Sequence, residues 1–462
     1  MADMGTDIRA ERRKELMHVG VFFKNTGHHI AAWRHPRAQM DAGINVQHYV
    51  QCVQTCEKAG FDFIFFADSA AVRDTPFEVL SRSAQYTAYF EPVTLLSALA
   101  LATRHIGLIA TATTSYNEPY HVARKFASLD HISSGRAGWN VVTSGNFAEA
   151  WNFGRDEHFE HDFRYERATE FVEVVHGLWD SWDDDAFICD RAAGRFFDPD
   201  RVHLLNHKGR FFKVRGPLNI PRPPQAYPVI FQAGTSDVGR ELAAATAEGV
   251  FTSELTLENS KEHYADVKGR MAKFGRRPEQ MRILPGCTVV CAPTEAEARE
   301  KNDYLKSLIH PDQGREYIGS LLGLDLSDCD IEGPLPDRPS KKSMGGTFKN
   351  ITGIARQEKL SIRQLYERLA GAHGKLTLVG SVNQVADTMQ EWFNAWACDG
   401  FILQPSYMPG ELDDIVAYLV PELRNRGLIR VDYDGHTLRD NLGLARPQSR
   451  YSAARVHAEA RG

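Results

Sequence analysis

The sequence predicts an α/β protein built as one (β/α)8 TIM barrel with long insertions. Short apolar runs alternate with helical patterns along most of the 462 residues. Eight of these runs read as strands, and a helical segment follows each of them. None is followed by the GxGxxG turn that marks an open dinucleotide-binding sheet. Eight strands that are each followed by a helix can instead close into a barrel with short, right-handed connections.

The eight strands are near-continuous apolar runs, as expected of parallel strands that are buried on both faces. In chain order they begin at Met17, Phe61, Ile106, Gly138, Pro228, Gly249, Arg282 and Gly400. A helix is expected from about Asn45 to Ala59 after the first strand, and ELDDIVAYLVPELRNRG predicts the helix after the last. We therefore expect a single barrel domain over residues 17–445.

Two stretches interrupt this alternation of strands and helices. Residues 183–227 are rich in proline, glycine, arginine and aromatic residues, and residues 312–375 include an acidic, then proline-rich, then basic stretch. Loops of this length inside a compact domain are usually functional, so both insertions are candidate lids over an active site. Residues 446–462 are rich in alanine and arginine, and we expect them to form a flexible tail.

Composition argues against several classes of function. A net charge of −6 provides no basic field for nucleic acid. The N-terminus carries charge where a signal peptide needs an apolar core, and no run approaches the roughly 18 apolar residues of a membrane span. Seven cysteines, an odd number, do not describe a disulfide framework. The sequence therefore predicts a cytoplasmic protein with neither a membrane nor a nucleic-acid partner.

The active face of a barrel enzyme lies at the C-terminal ends of the strands. In this sequence those ends carry one carboxylate, Asp68, which could also simply cap the next turn. The other polar residues there are neutral hydroxyls and amides: Thr111, Thr113, Thr114, Ser115, Asn140, Thr143, Ser144, Gln232, Thr235 and Ser236. Such a set suits a polar ligand that needs many hydrogen bonds better than it suits a hydrolytic metal site.

The segment QAGTSDVGRELAAATA predicts a strand that runs directly into a helix. The strand ends at Gly234, Thr235 and Ser236, and the helix begins at about Asp237. Backbone N–H groups and hydroxyls at a helix N-terminus favour an anion, and barrels often bind phosphate beside a late strand. The alternative is that Ser236 acts only as a helix N-cap.

Histidines near the predicted rim allow more than one interpretation. His158 and His161 could share a helix face and bind a metal, but no carboxylate stands at a ligand spacing, so we predict no metal site. His161 and Tyr165, four residues apart, could instead reach a phosphate together or simply pack the start of the helix. His28 and His29 are adjacent and would point apart, unlike the HxH pair of metal-dependent amidohydrolases.

Four long segments of the sequence resemble one known family: TATTSYNEPYHVARKFASLDHISSGRAGWNVVTSGNFAEAWNFG, HFEHDFRYERATEF, FFKVRGPLNIPRPPQAYPVIFQAGTS and HTLRDNLGL. They resemble the bacterial-luciferase-like two-component flavin monooxygenases, within the nitrilotriacetate/EDTA monooxygenase branch. The resemblance covers about residues 17–447. It implies a TIM barrel, reduced FMN (FMNH2) as a diffusible co-substrate with O2, a separate NAD(P)H:FMN reductase, and a homodimer or homotetramer.

Carried over by motif, the resemblance implies an FMN site. Asp68 would lie near the isoalloxazine ring and ribityl chain, and Thr114 would lie beside the ring. The residues implied to hold the ribityl chain and phosphate are Ser144, His161, Tyr165, Thr235 and Ser236. Members that oxidise alkanes and sulfones place a histidine in the insertion before the last strand, which the matching stretch GREYIGSLLGLDLS lacks. His28 roughly matches a first-strand histidine of those members and is expected on the substrate side.

The function expected from these features is an FMNH2- and O2-dependent monooxygenase acting on a small organic substrate next to a C–N or C–S bond. The polyaminocarboxylate members look most similar. Arg73 and Arg82, in the loop after the second strand, could meet a carboxylated substrate or could be solvated loop charges. Two other classes stay open: a metal-dependent barrel hydrolase and a non-catalytic flavin-binding protein.

Overall fold

The protein is described by a computed structural model over residues 15–85, 87–338, 345–371 and 375–451. The strands in this part of the chain are β1 His18–Phe23, β2 Phe63–Phe66, β3 Gly107–Thr113, β4 Ala137–Val142, β5 His207–Lys208, β6 Lys213–Val214, β7 Val229–Gln232, β8 Gly249–Thr252, β9 Arg282–Ala292, β10 Leu376–Ser381 and β11 Gly400–Leu403. Parallel pairing runs through β11, β1, β2, β3, β4, β7, β8 and β9, and β9 pairs again with β11. These eight strands close into a barrel, so the predicted (β/α)8 fold is confirmed.

Helices connect the strands around the barrel. They are α1 Val46–Lys58, α2 Phe77–Leu80, α3 Pro92–Ala102, α4 Pro119–Ile132, α5 Glu149–Asn152, α6 His161–Trp179, α7 Asp237–Thr246, α8 Leu257–Arg270, α9 Glu295–Ser307, α10 Pro311–Leu322, α11 Gly345–Gln357, α12 Ile362–Leu369, α13 Val382–Asn394, α14 Gly410–Asp414, α15 Val420–Asn425 and α16 Leu438–Asn441. A π-helical turn, Ile415–Leu419, joins α14 to α15. None of the helices in the described ranges is long and apolar enough to cross a membrane.

All eight predicted strands are present, but sequence analysis missed three others. β5 and β6 form a short antiparallel hairpin in the first insertion. β10 pairs in parallel with the second half of β9, from Cys287 to Ala292, outside the closed barrel. Because β10 is only partly buried, its sequence LTLVGS lacks the continuous apolar run by which the barrel strands were recognised.

Aromatic side chains fill the barrel interior. Their rings meet edge-on or stacked, with centroids 5.1–6.3 Å apart, and belong to Phe22, Phe63, Phe65, Phe231 and Phe251. Small residues make room for them, because a Cβ on Gly20 would lie 2.1 Å from the Phe63 ring. Leu438 and Leu442 of the C-terminal segment belong to the same cluster. The interior is therefore packed solid below the strand ends.

Buried carboxylates tie the N-terminal ends of the strands together. Asp62, directly before β2, accepts the Val19 backbone N–H at 2.7 Å and pairs with Arg430 at 2.7 Å. Asp399, directly before β11, accepts the Ile283 backbone N–H at 2.8 Å in the same way. Each carboxylate joins its own strand to a neighbour. The barrel is thus fixed at the end opposite to the predicted active face.

The two insertions differ in how they meet the barrel. The first, residues 183–227, packs against α6, where His207 contacts Glu170 at 3.0 Å. The second, residues 312–375, contains most of α10 together with α11 and α12. These helices share a hydrophobic cluster that includes Ile318 and Tyr366 and also takes in Ile30 and Ala31 from the segment after β1. The second insertion is therefore a small packed unit rather than a loose loop.

The first residues of the expected tail are held against the first insertion. Arg446 pairs with Asp184, and the Tyr451 ring stacks on the His203 ring with centroids 4.0 Å apart. Residues 446–451 thus contact the barrel domain where the sequence predicted a flexible tail. Residues 452–462 lie outside the described residues.

Replacing Gly20 with alanine is expected to destabilise the protein by about 1–3 kcal/mol, because the added methyl group would overlap the Phe63 ring in a packed interior. Urea denaturation followed by tryptophan fluorescence measures the change. Gly269→Ala in α8 is the matched control, since a Cβ there meets no atom within 4 Å. An unchanged midpoint for Gly20→Ala would contradict the packing between β1 and β2.

Candidate active site

A cavity of about 870 Å³ opens at the C-terminal ends of the barrel strands, where the sequence predicts the active face. Its size falls within the range of small-molecule sites. The ends of β1, β2, β3, β4 and β7 line it, and α10 of the second insertion contributes Tyr317, Ser320 and Leu321 to its wall. No residue of the first insertion is among those that line it. Of the two insertions, the second is thus the one that contributes to the wall of this cavity.

The structure brings five of the predicted site residues to this cavity: His28, Asp68, Ser144, His161 and Tyr165. Thr114 does not line it. Only 1% of Thr114 is exposed, and its hydroxyl donates to the Val142 carbonyl at 3.2 Å. The neighbouring Thr113 lines the cavity instead. At this strand end Thr113 lies on the cavity wall, and the place of Thr114 beside a flavin ring stays a prediction.

Thr235 and Ser236 lie at the start of α7, where Gly234 and Gly239 line the cavity. Ser236 accepts the Gly239 backbone N–H at 3.2 Å, so it is an N-cap of the helix. A Cβ on Gly239 would lie 3.0 Å from Ser236 Oγ and 3.1 Å from Tyr165 Oη. The helix start and the Tyr165 hydroxyl therefore converge on one point, and glycine keeps the backbone accessible there.

Arg164 is a cationic residue on the cavity wall that sequence analysis missed. It precedes Tyr165 on α6, lines the cavity, and donates to the carbonyls of Thr143, at 3.1 Å, and Ser144. Its Nε has no hydrogen-bond partner among the described residues. A partly buried guanidinium on the cavity wall favours a phosphate or another anion. Its position next to Tyr165 in EHDFRY was the only signal in the sequence.

Glu149 is the other important residue that sequence analysis missed. It is 3% exposed, and its carboxylate accepts the Ser144 hydroxyl at 2.8 Å and the Ser69 hydroxyl at 3.0 Å. The Ser144 hydroxyl also lies 2.7 Å from the Thr113 hydroxyl. Burial raises the pKa of Glu149 despite these donors. The carboxylate links the ends of β2 and β4 along the cavity wall.

Ser144 has a left-handed backbone conformation, with φ of 59°. A residue other than glycine adopts this conformation at a cost of about 1–3 kcal/mol when its surroundings impose it. The hydroxyl of Ser144 is held by Glu149 and its carbonyl by Arg164. The strained residue is therefore fixed from both sides while it faces the cavity.

His28 is 1% exposed and lies on the cavity wall. Its Nε2 lies 3.0 Å from the Phe22 carbonyl oxygen, which can only accept, so Nε2 carries the proton. Burial, reinforced by the charge of Lys24, lowers the pKa of His28 well below its usual value. The ring is therefore neutral, and Nδ1 is its acceptor atom.

Several buried polar atoms in the C-terminal halves of barrel strands, or directly after them, have no hydrogen-bond partner within the described part of the chain. They are Asn140 Oδ1, Thr252 Oγ1 and both polar atoms of Gln404. The amide of Asn140 donates at 2.8 Å to Thr111, which lines the cavity. Unpaired buried polar groups are costly, so a ligand with many donors and acceptors fits this place. FMN, with its polar ring, hydroxylated chain and phosphate, has the required chemistry.

Within the described ranges, no group of three or more His, Cys, Asp or Glu residues is placed to hold a metal ion. His158 Nδ1 lies 2.5 Å from the Tyr116 hydroxyl, and His161 contacts Asp162. The two histidines thus have separate partners. This arrangement does not favour the metal pair considered from their spacing.

The two arginines considered as carboxylate ligands lie in different places. Arg73 lines the cavity. Arg82 pairs with Glu78 at 2.7 Å and is not among the residues that line the cavity. Of the two arginines, Arg73 is therefore the one placed to meet a substrate.

Similarity to known proteins covers nearly the whole chain. A family model described as luciferase-like monooxygenase matches residues 25–398. Nitrilotriacetate monooxygenase component A of Aminobacter aminovorans is 50% identical over 441 residues, which are 94% of this chain and 97% of that protein. N-acetyl-S-(2-succino)cysteine monooxygenase of Bacillus subtilis (strain 168) is 46% identical over 445 residues, 95% and 99% of the two chains. A solved riboflavin lyase (RcaE), described with modified FMN and riboflavin, has a TM-score of 0.82 and 31% identity, covering 94% of this chain and 97% of its own.

Gly239→Ala is expected to weaken FMN binding by about tenfold or more, because the new methyl group would occupy the point where Tyr165 and the α7 N-terminus converge. Quenching of flavin fluorescence measures the dissociation constant. Gly353→Ala in α11, where a Cβ meets nothing within 4 Å, controls for the substitution itself. Equal FMN affinity in both variants would argue against a phosphate at this place.

Asp68→Asn is expected to stabilise the flavin-free protein at pH 8 by about 1–2 kcal/mol. Burial, reinforced by Glu91 and Glu149, raises the pKa of Asp68 to about 6. A carboxyl group whose pKa is raised on folding contributes stability at low pH and loses it as the pH rises through about 6. Thermal unfolding at about pH 5 and pH 8 measures the difference, with the exposed Asp432→Asn as control. A gain that is equal at both pH values would contradict this ionisation.

Proposed function

The chain belongs to the luciferase-like monooxygenase family, and we propose that it is the oxygenase component of a two-component system that uses FMNH2 and O2. The proposed reaction oxidises a small carboxylated compound at a carbon next to a C–N or C–S bond. The observation that carries this proposal is the cavity at the barrel mouth, which is lined by the start of α7 at Gly239 and by Arg164, whose Nε has no hydrogen-bond partner among the described residues.

The substrate class is proposed from the two relatives that share about half of their residues with this chain. Their names specify nitrilotriacetate and N-acetyl-S-(2-succino)cysteine. The first compound is a carboxylated amine, and the second is a carboxylated thioether. Arg73 on the cavity wall is compatible with either one. Hydroxylation of the carbon beside the heteroatom would let the C–N or C–S bond break.

The proposed cofactor site follows the geometry of α6 and α7. Reduced FMN would supply the chemistry that activates O2. Its phosphate would be held by Arg164, Tyr165 and the backbone at Gly239, with His161 beside the Tyr165 ring at a centroid distance of 4.9 Å. Ser236 would orient the α7 N-terminus by capping it, and the exposed Thr235 adjoins this point.

The ring and ribityl chain would lie toward the strand ends that carry Asp68 and Ser144. Glu149 would fix the Ser144 hydroxyl, and Thr114 would support the end of β3 from behind the cavity wall. His28, with Nδ1 as its acceptor atom, would hold or accept a proton on the substrate side. This chain would therefore bind, orient and manage protons, while the oxygen chemistry belongs to the cofactor.

Exclusion of water is the role we propose for the second insertion. α10 covers the cavity, and the Tyr317 hydroxyl anchors it by donating to the Leu369 carbonyl at 2.9 Å. A closed cavity strengthens the polar interactions inside it and limits the loss of oxidising equivalents as H2O2.

We further propose that a separate NAD(P)H:FMN reductase supplies FMNH2; the wording "component A" in the name of the Aminobacter aminovorans relative implies at least one further component there. The proposal includes a cytoplasmic homodimer or homotetramer. Five of the seven cysteines, Cys52, Cys56, Cys287, Cys291 and Cys398, are buried, and no disulfide joins cysteines within the described residues. Free thiols of this kind are compatible with a reducing compartment.

Turnover of both named carboxylates tests the proposal. Purified protein, a flavin reductase, NADH, FMN and O2 should together yield product, and omission of any of them should abolish it. Catalase and a reaction without this protein control for free H2O2. Activity without flavin that depends on a metal would establish a hydrolase instead. Equal binding of oxidised and reduced FMN without O2 consumption would indicate a flavin-binding protein.

A further inference from the structure

Two lysines and His28 lie on the same wall of the cavity. Lys24 directly follows β1, and Lys375 directly precedes β10 at the end of the second insertion. All three residues line the cavity, and the charges of both lysines lower the pKa of His28. Groups that carry or can carry positive charge are therefore gathered here.

Lys375 lies in aromatic surroundings. Its Nζ is 4.3 Å from the centroid of the Phe251 ring and 6.0 Å from that of the Phe22 ring. Ring faces attract an ammonium group but do not neutralise it. Burial and, second, the charge of Lys24 lower the pKa of Lys375 to about 7. A bound anion would raise the pKa of Lys375, because it favours the charged form of the lysine.

We propose that Lys24 and Lys375 form a carboxylate-binding subsite that anchors one carboxylate of the substrate and so determines which compounds are accepted. This inference rests on the proposed function, because it assigns residues to recognise its substrate class. An anion between two ammonium groups offsets their repulsion and replaces part of the hydration lost on burial. His28, neutral on the same wall, would lie near the anchored compound.

The FMN phosphate is the other anion that could occupy such a subsite, and the barrel order argues against it. The phosphate site proposed above is at the start of α7, directly after β7. Among the eight barrel strands, β7 is the fourth from β1 in either direction. The Lys24 end of β1 and the Gly239 region therefore lie on opposite sides of the barrel mouth. Lys375 Nζ lies over rings of both β1 and β8, so it is Lys24 that places the proposed subsite on the β1 side.

Carboxylate binding at Lys375 must be linked to protons. Lys24 and His28 face Lys375 from the segment after β1, and the carboxylates that line the cavity are Asp68, Asp74 and Glu149. An anion stabilises the charged lysine, so binding raises its pKa from about 7 and takes up a proton at higher pH. Affinity should be highest below pH 7 and should fall as the pH rises above it.

Calorimetric titration of the FMN-loaded protein tests the subsite directly, without turnover. The probes are nitrilotriacetate, its uncharged trimethyl ester and N-acetyl-S-(2-succino)cysteine, in metal-free buffers at about pH 6 and pH 8. Lys375→Met is expected to weaken binding of at least one carboxylate by about tenfold or more, with Lys375→Arg retaining most of the affinity. Affinity for the ester should not fall in Lys375→Met.

Controls separate this subsite from folding and from FMN binding. Lys261→Met removes an exposed lysine from α8 and should change nothing. Lys375→Met should keep the FMN affinity of the wild type, and its urea midpoint should not fall, because the variant no longer buries an ammonium group. Lys24→Met, at the other lysine, should also weaken carboxylate binding and provides a second test if Lys375→Met does not fold. At pH 8 the binding heat should vary with the buffer in the sense of proton uptake, and Lys375→Met should lose that dependence.

Three results would overturn the subsite: wild-type protein that binds neither carboxylate, lysine variants that bind both as tightly as wild type, or Lys375→Met that loses FMN affinity instead. Turnover measurements keep this proposal distinct from the proposed function. FMNH2-dependent turnover that is unaffected in the lysine variants would refute the subsite alone. Lysine-dependent carboxylate binding without any turnover would refute the monooxygenase assignment alone.

Discussion

Closure of the barrel around an aromatic interior is the constraint on which the rest of the structure depends. The rings of Phe22, Phe63 and Phe231 and their neighbours fill the space between the strands. Glycines such as Gly20 leave room for these rings, because a Cβ there would overlap them. A ligand has no room at that level. Polar side chains can therefore gather only above the rings, at the C-terminal ends of the strands, which is where the cavity lies.

The cavity is organised as two sides joined by a rigid wall. Arg164, Tyr165 and the start of α7 provide one side, and Lys24 and Lys375 provide the other. Between them, Glu149 ties two strand ends together through hydroxyl groups and holds Ser144 in its strained conformation. A flavin nucleotide and an anionic substrate each carry a charged end, so this division would orient both of them toward a common centre.

The fold and part of the site were predictable because they depend on local pattern. Buried parallel strands can be recognised in the sequence as apolar runs, whereas β10 cannot, because it is half exposed. Asp68 and Ser144, which follow such runs, line the cavity as the pattern predicted, whereas at the end of β3 the cavity is lined by Thr113 and not by the adjacent Thr114. Glu149, Arg164 and Lys375 come from helices and an insertion. Their approach to the cavity depends on tertiary packing, which no local pattern records.

The separate hydrophobic cluster of the second insertion has an evolutionary consequence. Because α10, α11 and α12 pack mainly on one another, mutations in this unit alter the roof of the cavity while the barrel strands keep their register. Such mutations would change which substrates fit the cavity while the residues proposed to face the flavin stay the same. A scaffold divided in this way can diversify its chemistry step by step, with each intermediate still folded.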